Sequence, residues 1–148
     1  MQSYYFEEFN EGEVFKTRAR TITEADVIAF TGLSWDTNPL HTDAEYASKT
    51  IFGERIAHGA LIFAIHTGLS AALGHLSTTV IAFLGMTWNF LEPVKIGDTV
   101  LVEQVVKEKK EVKKKDRGIV IFDTRVVNQK GAVVQQGDKT VMVKRKAD

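Results

Sequence analysis

The chain has 148 residues, a length that suits one domain with its own core. Its 19 basic and 19 acidic residues cancel, so no global charge draws it to nucleic acid or an anionic membrane, and 44% hydrophobic residues exclude disorder as the main state. Cysteine is absent, which removes disulfides, thiolate metal sites and cysteine nucleophiles together and fits a reducing compartment.

In chain order, the first eight residues are acidic and aromatic rather than basic then apolar, so they do not read as a signal peptide, and the cytoplasm is the expected location. Residues 13–20 alternate loosely after an Asn-Glu-Gly turn and predict a first strand. Thr23 followed by Glu24, Ala25 and Asp26 reads as a helix N-cap with an acidic first turn, with Ile22 and Val27 as a hydrophobic staple; the helix should cover residues 24–33. Thr42 and Glu45 have capping-box spacing, which predicts a second short helix over residues 43–49. Between these helices lies Asp36-Thr37-Asn38-Pro39-Leu40-His41, a turn in which Pro39 fixes one torsion and biases Asn38 toward an extended conformation. A carboxylate and an imidazole five positions apart on so restricted a turn form a candidate acid/base pair.

Residues 51–57 connect to the most apolar stretch of the chain, residues 58–73, whose hydrophobic positions cover most of a helical circumference and stop at Gly74. Such a helix should be buried on most sides, and at about sixteen residues it is too short to span a bilayer. The remainder predicts strands over residues 78–84 and 87–91 with a bulge at Gly85, then 99–106, 119–127 and 132–143 with an irregularity at Gly137, joined by short turns and therefore antiparallel. A sheet wrapped round a central helix is the expected architecture. The lysine-rich residues 107–117 read as a solvated hairpin tip rather than a site for coenzyme A phosphates. Trp88 and Phe90 read as core or interface residues.

The run Gly32-Leu33-Ser34-Trp35-Asp36-Thr37-Asn38-Pro39-Leu40-His41, then Ala47, then Ile56-Ala57-His58-Gly59, resembles the MaoC-like family of (R)-specific enoyl-CoA hydratases, also called hydratase 2. Asp-x-Asn-Pro-Leu-His is the specific part, and the resemblance extends over nearly the whole chain. It implies an α+β hot-dog fold, a curled antiparallel β-sheet wrapped around one long α-helix. It further implies that Asp36 and His41 are the catalytic pair, Asn38 their polar support, and Gly59 the residue whose amide binds the thioester carbonyl. Trp35, His58 and Ala64 would line or border the substrate pocket. Many family members have glycine in place of Trp35, so the indole is expected to narrow the acyl pocket; some have serine in place of Ala64, so one polar contact to the pair is expected to be missing. The implied partners are an acyl-CoA or acyl-carrier-protein thioester and a second copy of the chain in a homodimer. No cofactor beyond the substrate's own coenzyme A is implied, and no metal.

The chemistry stands on the residue types as well. Hydrating a double bond conjugated to a thioester needs a group to take a proton from water, a group to deliver one to C2, and donors for the enolate oxygen. Asp36 and His41 can hold one water between them, with the division of the two proton transfers left open; burial of Asp36 would raise its pKa toward the useful range. Gly59, near the start of the apolar helix, would offer an unsatisfied amide. Alternatives are a zinc set from His41, Asp43 and His58, which has no recognised spacing, and a hydrolytic triad through Ser34, which lacks a nucleophile-elbow context. His58 reads first as a structural histidine bonded to backbone, and His66 and His75 have no companion motif. A silent acyl-binding subunit and a hot-dog thioesterase are the competing functions.

Overall fold

The computed structural model describes residues 2–147. A short 3-10 turn (Phe6–Glu8) precedes β1 (Val14–Lys16) and β2 (Arg20–Thr21), and both strands pair antiparallel with β5 (Thr99–Glu111). The single strand expected at residues 13–20 is therefore split at Thr17, which turns its hydroxyl to accept from the Val102 amide at 2.9 Å and so interrupts the ladder. Helix α1 (Glu24–Ser34) begins as expected: Thr23 accepts from the Asp26 amide at 3.2 Å, Asp26 accepts in return from the Thr23 amide at 2.9 Å, and Ile22 and Val27 are both fully buried. Two short helices follow, α2 (Pro39–Thr42) and α3 (Ala44–Ser48). The cap of α3 is Asp43, which accepts from the Tyr46 amide at 2.9 Å, and not Thr42, whose hydroxyl donates instead to the carbonyls of Thr37 and Asn38.

The sheet runs β1-β5-β6-β7-β3, with β6 at Arg117–Asn128, β7 at Val133–Lys144 and β3 at Val80–Met86; the short β4 (Asn89–Phe90) also pairs with β7. Strands β5 and β6 are longer than their apolar cores suggested, because alternation continues past Val106 into charged residues whose outward positions need no burial. Thus residues 107–111 lie in the ladder, and only residues 112–116 form the exposed tip. The Gly85 bulge is present as a register shift between Phe83 and Gly85. Gly137 stays in register opposite Thr124; its lack of a side chain serves another purpose, since a Cβ there would sit 1.8 Å from the Thr87 carbonyl oxygen.

Helix α4 (Gly59–Ala71) lies on the inner face of this sheet. Leu61, Ile62, Ile65, His66 and Leu69 are buried, whereas Ala60, Ala64, Thr67, Gly68 and Ala71 are exposed. One face of the helix is thus covered, fewer sides than its composition led us to expect, because the small residues share the opposite face. Along the sheet's inner face the core divides. One cluster gathers α4 with Val100, Val102, Val126 and Val134; the other gathers Phe6, Phe9 and Phe15 with Val106, Val120, Phe122, Val141 and Val143. Between them runs a polar rung, Gln104 opposite Thr124 and Thr124 opposite Gly137, with Lys139 beside it. Among the described residues no helix is long and apolar enough to cross a membrane.

Candidate active site

The segment from Ser34 to His41 is held almost entirely by its own backbone. Trp35 ends α1 in the left-handed region (φ 61°), its amide bonded to the Thr31 carbonyl, and this reverses the chain. Ser34 Oγ donates to the Phe30 carbonyl and accepts from the Asp36 amide at 3.1 Å, so it is a turn serine and carries no triad. Asp36 Oδ1 accepts from the Asn38 amide at 3.2 Å, and Asn38 Oδ1 accepts from the Leu40 amide at 2.9 Å, capping α2 with Pro39 as its first residue. The turn expected here is in fact a one-turn helix that carries His41 in its middle.

His41 is 9% exposed, and its Nδ1 donates to the Ile56 carbonyl at 2.7 Å. A carbonyl only accepts, so the proton sits on Nδ1 and the lone pair on Nε2. That nitrogen lies 4.0 Å from Asp36 Oδ2. The gap is too long for a direct hydrogen bond and short enough for one water oxygen to contact both atoms. Asp36 reaches the pair from the open side: half of its side chain, 50%, is accessible, so the burial expected of it is not present in the single chain.

His58 caps α4 and lies beneath the pair. Its Nε2 donates to the Asp36 carbonyl at 3.0 Å, its ring lies against that of His41 at a tilt of 31° with centroids 3.8 Å apart, and the Phe30 ring meets it edge to face with centroids 4.9 Å apart. Burial first, and then the charge His41 would carry, hold its pKa below the usual imidazole value against the opposing pull of Asp36. His58 is therefore neutral near pH 7 and acts on the loop through the Asp36 backbone. Donor atoms of Asp36, His41 and His58 all lie within 4.8 Å of one another, so the acidic partner of the two histidines is Asp36 and not Asp43.

Gly59 opens α4, so its amide has no intrahelical acceptor and lies at the positive end of the helix. Its carbonyl accepts from Gln135 Nε2 at 3.0 Å, and Gln135 Oε1 accepts in turn from Trp88 Nε1 at 3.0 Å. A Cβ at position 59 would fall 2.8 Å from the Phe90 ring, so glycine is what lets that ring lie against the helix start. Two expected pocket residues stand elsewhere. Trp35 is 86% exposed in the single chain, standing in the left-handed cap of α1. Ala64 sits on the exposed face of α4 and borders an open groove with Phe30, Leu33 and Gly68 rather than the sheet. Sequence reasoning missed Thr31 and Gln135, which act through a hydroxyl 3.4 Å from His58 and an amide, and gave no site role to Ile56 and Phe90, which act through a carbonyl and a ring. For Thr31 a signal existed, since it stands four residues after the buried Val27 on the same face of α1.

Residues 8–128 match the family described as MaoC like domain. The chain belongs to that family. It is 40% identical over 145 residues to an (R)-specific enoyl-CoA hydratase of Rhodospirillum rubrum, covering 95% of this chain and 92% of the relative. The unliganded R-hydratase of Pseudomonas aeruginosa superposes with a TM-score of 0.77 at 38% identity, over 96% of this chain and 86% of that one. A monoamine oxidase regulatory protein from Archaeoglobus superposes with a TM-score of 0.90 at 36% identity, over 99% and 98% of the two chains. The architecture is the α+β hot-dog fold of this MaoC-like group.

Proposed function

We propose that the chain is an (R)-specific enoyl-CoA hydratase, adding water reversibly to a trans-2-enoyl thioester. The observation that carries this is the 4.0 Å gap between Asp36 Oδ2 and His41 Nε2, each with a free lone pair, in a chain 40% identical to an enzyme of that name. A water held between them gives its oxygen to C3 and one proton to the pair; the pair returns a proton to C2 and ends as it began. Electrons from the double bond pass to the thioester oxygen, where the Gly59 amide and the start of α4 stabilise the charge. Asn38 fixes the spacing by capping α2, and the reaction requires no cofactor or metal beyond the coenzyme A, or carrier protein, that the substrate carries. Loss of the enone-thioester absorbance on adding crotonyl-CoA, without release of free thiol, is the expected result. Thiol release would assign a thioesterase, and neither change would assign a silent acyl-binding subunit.

The working form is a homodimer in the cytoplasm. Strand β3 ends the sheet, and its Val80, Ile81, Phe83 and Leu84 are exposed, an edge and an apolar surface that a second copy would cover. Light scattering that finds only monomer at micromolar concentration would overturn the assembly and leave the chemistry standing.

A further inference from the structure

A second polar cluster lies on the sheet's inner face, remote from Asp36 and His41. Lys139 is only 6% exposed, and among the described residues its ammonium has no hydrogen-bond or ion-pair partner. It faces a cavity of about 400 Å³ beneath the C-terminal half of α4, lined also by Ser70, His75, Gln104, Phe122 and Val141. Among the described residues no aspartate or glutamate lines that cavity. Ser70 Oγ, Gln104 Oε1 and both ring nitrogens of His75 are buried without partners, as is Nε2 of the neighbouring His66, whose Nδ1 donates to the Phe63 carbonyl.

Buried polar atoms in a native protein are normally paired, so a group of them around one space points to something that fills it. The occupant's charge follows from the wall. Burial, reinforced by the Lys139 charge, pushes His66 and His75 down to about 4, while burial brings Lys139 down only to about 8. Near pH 7 the cavity therefore holds one ammonium and the neutral imidazole of His75, a net positive charge that repels cations and that no group among the described residues balances. Its shape follows too. Phe122, Val141, Leu76 and Val80 make one side apolar, which leaves a phosphate or sulfate oxygen on that side without a donor. Lys139, Ser70 and one N–H of His75 supply the donors that two carboxylate oxygens accept.

We propose that this cavity binds a carboxylate carried on a short hydrocarbon. Two sources have that chemistry: the far end of the acyl group of a thioester seated at Gly59, an arm that rests on the proposed hydratase function, or a small free carboxylic acid. Both Gly59 and Ser70 lie on α4, about 16 Å apart along its axis. In the single chain the mouth opens at Thr67, Val80 and Phe83, of which Val80 and Phe83 belong to the surface that the second copy of the proposed homodimer would border.

Hexanoate titrated into the full chain at pH 7, with the His75 ring resonances followed by NMR, tests the site. A saturable shift is expected with hexanoate and none with hexanol, and Lys139→Met should weaken hexanoate on the order of tenfold or more. Ser70→Ala provides a second variant with the same expected direction should Lys139→Met fail to fold. Equal responses to hexanoate and hexanol, as a cavity filled only by water would give, overturn the proposal; so does undiminished hexanoate binding in the variants. Enoyl-CoA substrates ending in a methyl or a carboxylate then separate the sources. A wild-type preference for the carboxylate that disappears in Lys139→Met puts the acyl end in the cavity, whereas hexanoate binding without any such preference assigns it to a free acid. If no enoyl-CoA is hydrated, the proposed function fails and the hexanoate result still decides the site.

Discussion

Near the N-terminal end of α4 the polar side chains have backbone partners close at hand: Asp36 with the Asn38 amide, Asn38 with the Leu40 amide, His41 with the Ile56 carbonyl, and His58 with the Asp36 carbonyl. Beneath its C-terminal half, Ser70, His75 and Gln104 are buried with none, beside an unpaired ammonium. In the first region two of these four contacts join near neighbours in sequence and two tie His41 and His58 to backbone 15 and 22 positions away, leaving only His58 Nδ1 of this region buried without a partner among the described residues. The second is assembled from α4, the segment after it, β5 and β7, and is tolerated by the fold rather than stabilising it.

The largest expected effect separates chemistry from packing in the first region. Asp36→Asn keeps size and hydrogen bonding and His41→Ala removes the ring, so each should lower turnover by about a hundredfold or more. Because the two act on one water, the double variant should be little worse than the poorer single. Asp36→Asn should leave the melting temperature nearly unchanged, since the side chain is half exposed; near-normal turnover in that folded variant would sink its catalytic role.

The second region should announce itself through pH. His66 and His75 are held at about 4 in the folded chain, below the ordinary 6.5, so the unfolded chain takes up protons first as pH falls. Stability is then fully present above pH 6.5 and is lost toward pH 4, by roughly 3 kcal/mol per imidazole. Urea melts at successive pH values would show the slope, and replacing both histidines with phenylalanine should flatten it. An unchanged slope in that double variant would mean that these groups are not the ones resisting protonation.

Backbone placement between the regions can be probed at two glycines. At Gly137 a methyl group would meet the Thr87 carbonyl oxygen at 1.8 Å, and Gly137→Ala should cost about 3 kcal/mol in denaturant melts. At Gly59 the obstacle is the ring of Phe90, an exposed side chain that can swing away, so Gly59→Ala should cost about 1 kcal/mol while lowering turnover through the thioester approach. Equal costs at the two positions would contradict the crowding described for Gly137. An effect as small, and of opposite sign, belongs to Trp35. Glycine accepts the left-handed conformation without penalty, so Trp35→Gly should raise stability by about 1 kcal/mol in the isolated chain; a lower melting temperature would show that the indole packs against something else.

The difference between the regions also explains what could be read beforehand. The α1 cap, the Gly85 bulge, the helix and the strands of the sheet follow from local periodicity and turn chemistry, and Asp36, Asn38 and His41 share one short loop. The Asp43 cap was mistaken by one residue because Thr42 and Asp43 are both cap formers, and the hydroxyl of Thr42 finds nearer carbonyls. Ala64 and Trp35 were placed by analogy with a pocket, yet which face of α4 meets the sheet is decided by where Leu61, Ile65 and Leu69 fit. Lys139 gave no warning, for a lysine between Asp138 and Thr140 looks like any solvated strand position until β3, β7 and α4 come together around it.

The strand order has a consequence for the chain as it leaves the ribosome. Strand β7 sits between β6 and β3, and both β3 and β4 pair only with it. Residues 80–90 are synthesised well before residues 133–144, so the apolar Val80, Ile81, Phe83 and Leu84 must wait, unpaired, while more than forty further residues emerge. Synthesis at about 5–20 residues per second makes that wait last seconds. During it the nascent chain carries a sticky, edge-exposed segment that a chaperone holding residues 80–91 would protect, and folding to completion is confined to the time after β7 is free.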